Sequence, residues 1–205
     1  MNFLQVRAKR CHDSRQDAGV TNAMPSRRLT ADLKPIFLLG ALVCGALAQS
    51  SQTMPTIEGE SFTGRKVILP SDTRGKVAVL IFGFTKASKE PTGAWADKIQ
   101  SDLGSRTGFE MYQLPVLEDV PRFIRGMVIS SMKKGVRENM RDHFAPILRH
   151  ESELKTLVSY QEKDDAYMVV LDPTGRIVRQ THGPFSDEAY KKISSEVQAL
   201  LNQQK

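Results

Sequence analysis

Cysteine is nearly absent from this sequence, and the positions of its two cysteines matter more than their number. They are Cys11 and Cys44, so residues 45–205 contain no thiol. Without thiols, this stretch cannot form a disulfide framework, a thiolate nucleophile or a cysteine-ligated zinc or copper site. Its function must therefore be built without cysteine chemistry.

Histidine is scarce as well. After residue 45 the histidines are His143, His150 and His182. His143 and His150 are seven residues apart, a spacing that would place them on one helix face, but Pro146 interrupts such a helix. We therefore predict no metal site and no cofactor, and we expect His182 in the turn that leaves a hairpin.

Basic residues are less abundant in most of the chain than the formal net charge of +6 suggests. Residues 1–49 carry seven basic and three acidic side chains, which leaves +2 for the rest. A nucleic-acid-binding domain needs a dense basic face. We therefore exclude nucleic acid as a partner.

Long apolar runs are also missing, apart from residues 36–48. Basic residues precede this run, and it ends in Ala-Leu-Ala, an order typical of a secretory signal peptide. The run is shorter than the roughly 20 residues that cross a bilayer. We interpret residues 24–48 as a signal peptide cleaved after Ala48, with an uncleaved membrane anchor as the alternative. The protein is then exported, to the periplasm or outside the cell, and residues 1–23 are a leader extension or a wrongly assigned start.

Beyond a linker at 49–55, the pattern predicts one α/β domain over residues 56–205. The run 76–84 is apolar and β-branched without alternation, which is typical of a strand buried on both faces of a sheet. Two further runs, 166–171 and 176–180, are joined by Asp-Pro-Thr-Gly and predict a hairpin. The expected order is β, β, α, β, helical insert, β-hairpin, α.

Serines mark the expected helix starts. Ser88 would cap a helix whose buried stripe includes Trp95, Ser152 would cap a short helix, and Ser186 would cap the last helix. The first strand or hairpin is expected within residues 62–70.

The segment 120–149 differs in character, and we predict a helical insert of two helices broken at Gly135, capped by Glu118 and Asp119. It carries seven basic and two acidic residues, a local charge of +5. Methionines adapt to varied partners, and a basic helical face attracts acidic protein or anionic headgroups. A docking surface is one interpretation, and a helix pair packed on the sheet is the other. The residues of the candidate partner surface are Arg122, Arg125, Met127, Met132, Lys133, Arg137 and Arg141.

The order of elements, with GRKVILPSDTRGKVAVLIFGFT at 64–85 and AYMVVLDPTGRIVRQTHG at 166–183, resembles the thioredoxin-like superfamily, especially its exported TlpA-like and peroxiredoxin-like branches. The resemblance implies a three-layer sandwich with a central mixed sheet, interrupted here by the helical insert. In active relatives, a nucleophilic cysteine follows the central strand at a helix N-terminus, where the helix dipole stabilises the thiolate.

No alignment with those relatives supplies the cysteine. Following Thr85, a peroxiredoxin-like T-x-x-C pattern places Ser88 at the nucleophile, and the Sco pattern F-G-F-T-x-C-x-x-x-C places Ala87 and Pro91 at the two cysteines. The cis-proline expected before the hairpin strand is replaced by Asp165-Ala166. A serine hydroxyl cannot enter the sulfenic and disulfide states open to a thiol, so the resemblance implies a degenerate redox site.

The F-G-F-T-x-x-S motif and the polar helical insert also resemble the mitochondrial ATP synthase assembly factors that chaperone subunit a, and their bacterial relatives. That resemblance implies an exported, redox-inactive binding or assembly module. Its partner would be a protein, such as a membrane-complex subunit. The basic insert additionally predicts peripheral contact with an anionic membrane surface. A thiol-disulfide oxidoreductase or peroxiredoxin-like antioxidant protein is the first alternative, and a Sco-like metal chaperone is the second.

Overall fold

The computed structural model describes residues 52–204. The predicted leader and signal peptide, together with residues 49–51 of the linker, therefore lie outside the described residues. Within 52–204, no helix combines the length and the apolar character that crossing a bilayer requires.

Six strands and four α-helices make up the described part. They are β1 (Ile57–Glu60), β2 (Lys66–Leu69), β3 (Val77–Gly83), α1 (Lys89–Leu103), β4 (Phe109–Pro115), α2 (Arg122–Gly135), α3 (Glu151–Leu157), β5 (Ala166–Leu171), β6 (Ile177–Gly183) and α4 (Asp187–Asn202).

The central sheet has four strands in the order β4-β3-β5-β6. Strand β3 runs parallel to β4 and antiparallel to β5, so the sheet is mixed as expected. Every residue of β3 is buried, in agreement with its uninterrupted apolar sequence. Strands β5 and β6 form the predicted hairpin, which continues as far as the Ala166–Gly183 pair.

Alternating side chains of β3 enter two different cores, which makes the domain three layers thick. Leu80 and its neighbours on that face pack with the β1–β2 hairpin and α3. Ile81 and its neighbours on the other face pack with α1 and α4. Trp95 and Ile99 of α1 lie in this second core, as the helical stripe predicted.

Three local predictions were wrong, each because a tertiary contact decided the structure. The first hairpin begins earlier than expected, since β2 pairs with the preceding strand β1. His182 lies within β6, opposite Tyr167, and not in a turn beyond the hairpin. Helix α3 begins at Glu151, one residue before the expected cap Ser152.

Only the first part of the insert is an α-helix. Helix α2 ends at Gly135 as predicted, but the second helix is a short 3-10 segment, Glu138–His143. The chain then runs extended, and Ile147 forms bridges with both Gly59 and Val116. Residues after α2 are thus part of the packed domain, with Met140 buried in the core between the sheet and α1.

Candidate functional site

The turn after β3 holds the residues that the sequence resemblance aligns with the redox cysteines. Ser88 precedes α1, and its Oγ donates a hydrogen bond to the Thr85 carbonyl oxygen at 2.7 Å. The Ser88 backbone N–H donates to Thr85 Oγ1 at 3.2 Å. The Ser88 hydroxyl makes no capping bond to α1, so the expectation of a side-chain cap was wrong: the hydroxyl closes the preceding turn instead.

Ser88 is also inaccessible. It is 1% exposed, and a Cβ added at Gly83 would lie 2.7 Å from its Oγ. The end of β3 therefore approaches Ser88 so closely that a larger residue at position 83 would require the Ser88 side chain to move. Ala87, in contrast, is exposed, and Pro91 is half-buried in the first turn of α1.

The loop before β5 meets this turn. Thr85 Oγ1 donates to Asp164 Oδ1 at 3.1 Å, although the two residues are 79 positions apart. Asp165 next to it is half-buried, and its Oδ2 lies 2.7 Å from His182 Nδ1. Ala166 is fully buried as the first residue of β5. We call residues 84–88 and 164–166 together the rim.

Aromatic side chains form a cluster beside the rim. Phe84 makes edge contacts with Tyr160 and Tyr167, with ring centroids 5.1 and 5.5 Å apart. Tyr167 stacks on His182 at 5.2 Å, and its hydroxyl donates to the Glu162 carbonyl oxygen at 2.8 Å. These contacts fix the two loops relative to each other, since each loop rests on the same aromatic cluster.

An open groove of about 690 Å³ runs along α3 beside Tyr160. Glu118 Oε2 accepts a hydrogen bond from the Glu151 N–H at 2.7 Å. Glu118 therefore binds the first residue of α3, and the expectation that it caps α2 was wrong. Glu151 pairs with Lys155, and this hydrogen bond raises the pKa of Lys155 above its ordinary value. Burial is the main cause that raises the pKa of Tyr160.

The residues of the candidate partner surface do not share one face. Arg122, Met127 and Lys133 are exposed, whereas Met132 and Arg141 are half-buried.

The two other arginines of that set are engaged within the domain. Arg125 folds back, and its Nη2 donates to the carbonyl oxygens of Glu118 and Val120 at 2.9 Å. Arg137 forms an ion pair with Asp97 of α1.

Helix α2 is unusual because none of its residues is buried. Phe123 is 88% exposed and Met127 73% exposed, while Ile124 and Val128 are half-buried. Phe123 was missing from the expected surface. Its spacing of four residues from Met127 was the signal that could have placed both on one helix face.

The histidines are not gathered into a ligand set. His143 is half-buried against the Tyr112 ring, 5.2 Å between centroids, and His150 is exposed beside Glu153. Over residues 52–204, no three side chains from histidine, cysteine, aspartate and glutamate lie close enough together to hold a metal ion.

Several solved structures share the architecture of this chain at low sequence identity. A Chlorobium tepidum protein described as the thiol:disulfide interchange protein DsbE is 16% identical, with a TM-score of 0.54 over 74% of this chain and 96% of that one. BsSco, a member of the Sco family of cytochrome c oxidase assembly proteins, is 15% identical, with a TM-score of 0.55 over 74% and 95%. The fold is thioredoxin-like. A thiol-disulfide oxidoreductase from Bacteroides fragilis, 15% identical with a TM-score of 0.50 over 71% and 99%, agrees with this.

The thioredoxin-like fold confirms the expected α/β sandwich with a central mixed sheet. No protein-family model matches the sequence, and no curated protein matches it. At these identities the likeness concerns the fold alone, so what the thioredoxin-like chain does must be argued from its own site.

Proposed function

We propose that this chain is an exported, redox-inactive thioredoxin-like protein that acts as a binding or assembly module. One observation carries the proposal: the turn at the N-terminus of α1 contains no thiol, and the serine that occupies it is 1% exposed and bonded to Thr85. A serine hydroxyl stays un-ionised near neutral pH and has no disulfide state. The fold of an oxidoreductase is therefore present without the group that performs thiol exchange.

The rim remains a structured surface although it contains no thiol. The Thr85–Asp164 hydrogen bond and the aromatic cluster beside it hold two loops in a fixed relation. A preorganised surface binds a partner at a lower entropic cost than a flexible one. The same surface that positions a substrate in the oxidoreductases would here hold a protein segment without reacting with it.

The proposed partner is a protein of a membrane complex. The F-G-F-T-x-x-S motif and the insert, which the ATP synthase assembly factors also carry in related form, support this choice. The signal peptide proposed for residues 24–48 would bring the chain to the compartment where membrane subunits are assembled.

Affinity purification from the cell envelope tests the proposal with matched variants. Ala87→Arg adds a long charged side chain to the rim at an exposed position, and Ala94→Arg makes the same change at an exposed position of α1. We expect one partner to be recovered with the wild type and with Ala94→Arg, and lost with Ala87→Arg. A chain with Cys11→Ser and Cys44→Ser should recover the same partner. The proposal is contradicted if recovery of the partner requires Cys11 or Cys44. It is also contradicted if Ala87→Arg recovers the partner as well as the wild type does.

The two alternatives share the fold and differ in chemistry. An oxidoreductase or a Sco-like metal chaperone needs thiols or metal ligands in the α1 turn, and Ala87, Ser88 and Pro91 supply none. Elemental analysis of the purified protein after exposure to Cu(I) and Cu(II) tests the metal-chaperone alternative. We expect no bound copper, whereas one copper ion per chain would favour the metal chaperone.

A further inference from the structure

Helix α2 presents an outer stripe that the domain does not cover. We define this outer stripe as Phe123, Met127 and Lys134, which are spaced at i, i+4 and i+11 and so lie along one side of the helix. All three are exposed, and Phe123, at 88%, is the most exposed large apolar side chain within residues 52–204. Within residues 52–204, neither hydrophobic core includes a residue of α2.

The opposite side of α2 is less exposed to solvent than the outer stripe. Ile124, Val128 and Met132 are half-buried there. Arg125 on the same side donates hydrogen bonds to the carbonyl oxygens that precede the helix. Half-burial on one side and full exposure on the other make α2 two-sided, with the outer stripe on its solvent side.

Charge on this helix has a single sign. Four basic residues lie in α2, and no acidic residue lies between Val120 and Arg137. Arg122, Lys133 and Lys134 are exposed, and none of them forms an ion pair within the described part of the chain. The insert carries a charge of +5, whereas the remaining charge of the domain is negative. An anionic surface is therefore attracted to the side of the domain that carries the insert.

We propose that the outer face of α2 docks on an anionic lipid surface, with Phe123 and Met127 entering the headgroup region and Arg122, Lys133 and Lys134 contacting lipid phosphates. An interfacial helix needs a few apolar side chains and neighbouring cations. A stable protein interface needs about 800 Å² from each partner. Two apolar side chains on a helix whose charged residues are all basic do not supply that area. A membrane therefore fits the stripe better than a folded protein does.

This docking goes beyond the proposed binding function, because it concerns α2 and not the rim. Parallel pairing of Gly83 with Pro115 places the rim turn and the start of the insert at the same end of the sheet. Membrane docking through α2 would therefore keep that end near membrane-embedded partners. Either property can fail while the other stands.

A tryptophan probe in the full-length protein tests the docking directly. Phe123→Trp places the probe in the outer stripe, and Val178→Trp places it at an exposed apolar position of β6 as the control. The native Trp95 is 1% exposed and contributes the same background to both. Vesicles of phosphatidylcholine with phosphatidylglycerol should shift the emission of the Phe123→Trp variant to shorter wavelength, and brominated lipid should quench it. The Val178→Trp variant should show neither effect, even if the N-terminal region binds the same vesicles.

Charge reversal tests the electrostatic part. Lys133→Glu with Lys134→Glu should weaken the vesicle-dependent signal of the Phe123→Trp probe by roughly tenfold or more, since each basic residue near an anionic surface contributes to binding. Lys191→Glu with Lys192→Glu makes the same change on α4, at two exposed lysines, and should have a much smaller effect. Three results would overturn the proposal: equal signals with neutral and anionic vesicles, no quenching at position 123, or a shift that appears only when envelope proteins are added.

Discussion

Thr85 Oγ1 donates a hydrogen bond to Asp164 Oδ1 at 3.1 Å and accepts one from the Ser88 N–H at 3.2 Å. One hydroxyl thus connects the two loops of the rim, which the sequence resemblance aligns with the cysteine and the cis-proline of thioredoxin-like oxidoreductases. The rim is held by polar contacts that involve no reactive atom. Residues 84–88 and 164–166 contain no thiol, in keeping with the proposed binding function.

Removing that hydroxyl should loosen the rim without unfolding the domain. Thr85→Val loses both hydrogen bonds, and we expect the free energy of unfolding to fall by about 1–2 kcal/mol. Thr85→Ser keeps the hydroxyl and should cost less than about 0.5 kcal/mol. Urea denaturation followed by circular dichroism measures both variants, and equal losses would show that the hydroxyl is not what holds the loops.

The apolar residues of α1 and α2 should differ sharply in their contribution to stability. Ile99 is fully buried, so Ile99→Ala should lower the free energy of unfolding by about 2–5 kcal/mol. Phe123 is 88% exposed, so Phe123→Ala should change it by less than about 0.5 kcal/mol. A large loss with Phe123→Ala would mean that α2 packs into the core.

Cysteines introduced into the α1 turn should report how accessible each position is. In a chain with Cys11→Ser and Cys44→Ser, Ala87→Cys places a thiol at an exposed site near a helix N-terminus, where the dipole favours the thiolate. Ser88→Cys places it at a site that is 1% exposed. Ellman's reagent should titrate the first thiol in the native protein and the second only after unfolding. Equal reactivity would contradict the buried position of Ser88.

The ion pair between Arg65 and Asp142 should give a measurable acid dependence of stability. Arg65 Nε donates to Asp142 Oδ1 at 3.0 Å, and Thr63 Oγ1 donates to the same oxygen at 2.7 Å. The hydrogen bond from Arg65, and then that from Thr63, lowers the pKa of Asp142 below its ordinary value of 3.8. A lowered folded-state pKa means that this stabilisation is present above pH 3.8 and is lost as the pH falls further.

Asp142→Asn should therefore be less stable than the wild type by about 1 kcal/mol or less at pH 7, because both partners are more than one third exposed. The difference should shrink toward zero near pH 2. Urea titrations at several pH values measure it, and Arg65→Gln should reduce the same pH dependence, because it leaves only the weaker hydrogen bond from Thr63. A constant difference between pH 7 and pH 2 would show that Asp142 acts through something other than its charge.

Local sequence patterns were sufficient for the elements whose structure is locally determined. The uninterrupted apolar run of β3, the Asp-Pro-Thr-Gly turn and the Ser186 cap, whose Oγ accepts from the Ala189 N–H at 3.2 Å, were all predictable. Strand β1 was not, because its sequence Ile-Glu-Gly-Glu is short and mostly polar and becomes a strand by pairing with β2. The bridges of Ile147 to Gly59 and Val116 likewise depend on a surface that exists only after folding.

The candidate site was predictable in composition and not in geometry. The missing thiol and the identities of Ala87, Ser88 and Asp165 follow from the sequence. The burial of Ser88 depends on how closely Gly83 approaches it, and the Thr85–Asp164 bond joins residues 79 positions apart. No local rule anticipates either contact.

Redox turnover is the measurement that tests the central claim most directly. The full-length protein with Cys11→Ser and Cys44→Ser is assayed for reduction of insulin disulfides with dithiothreitol and for consumption of hydrogen peroxide, beside an active thioredoxin. We predict rates equal to those of buffer in both assays, together with retained binding of the partner that Ala87→Arg loses. Turnover above buffer in the cysteine-free protein would contradict the claim that this thioredoxin-like fold serves binding without redox chemistry.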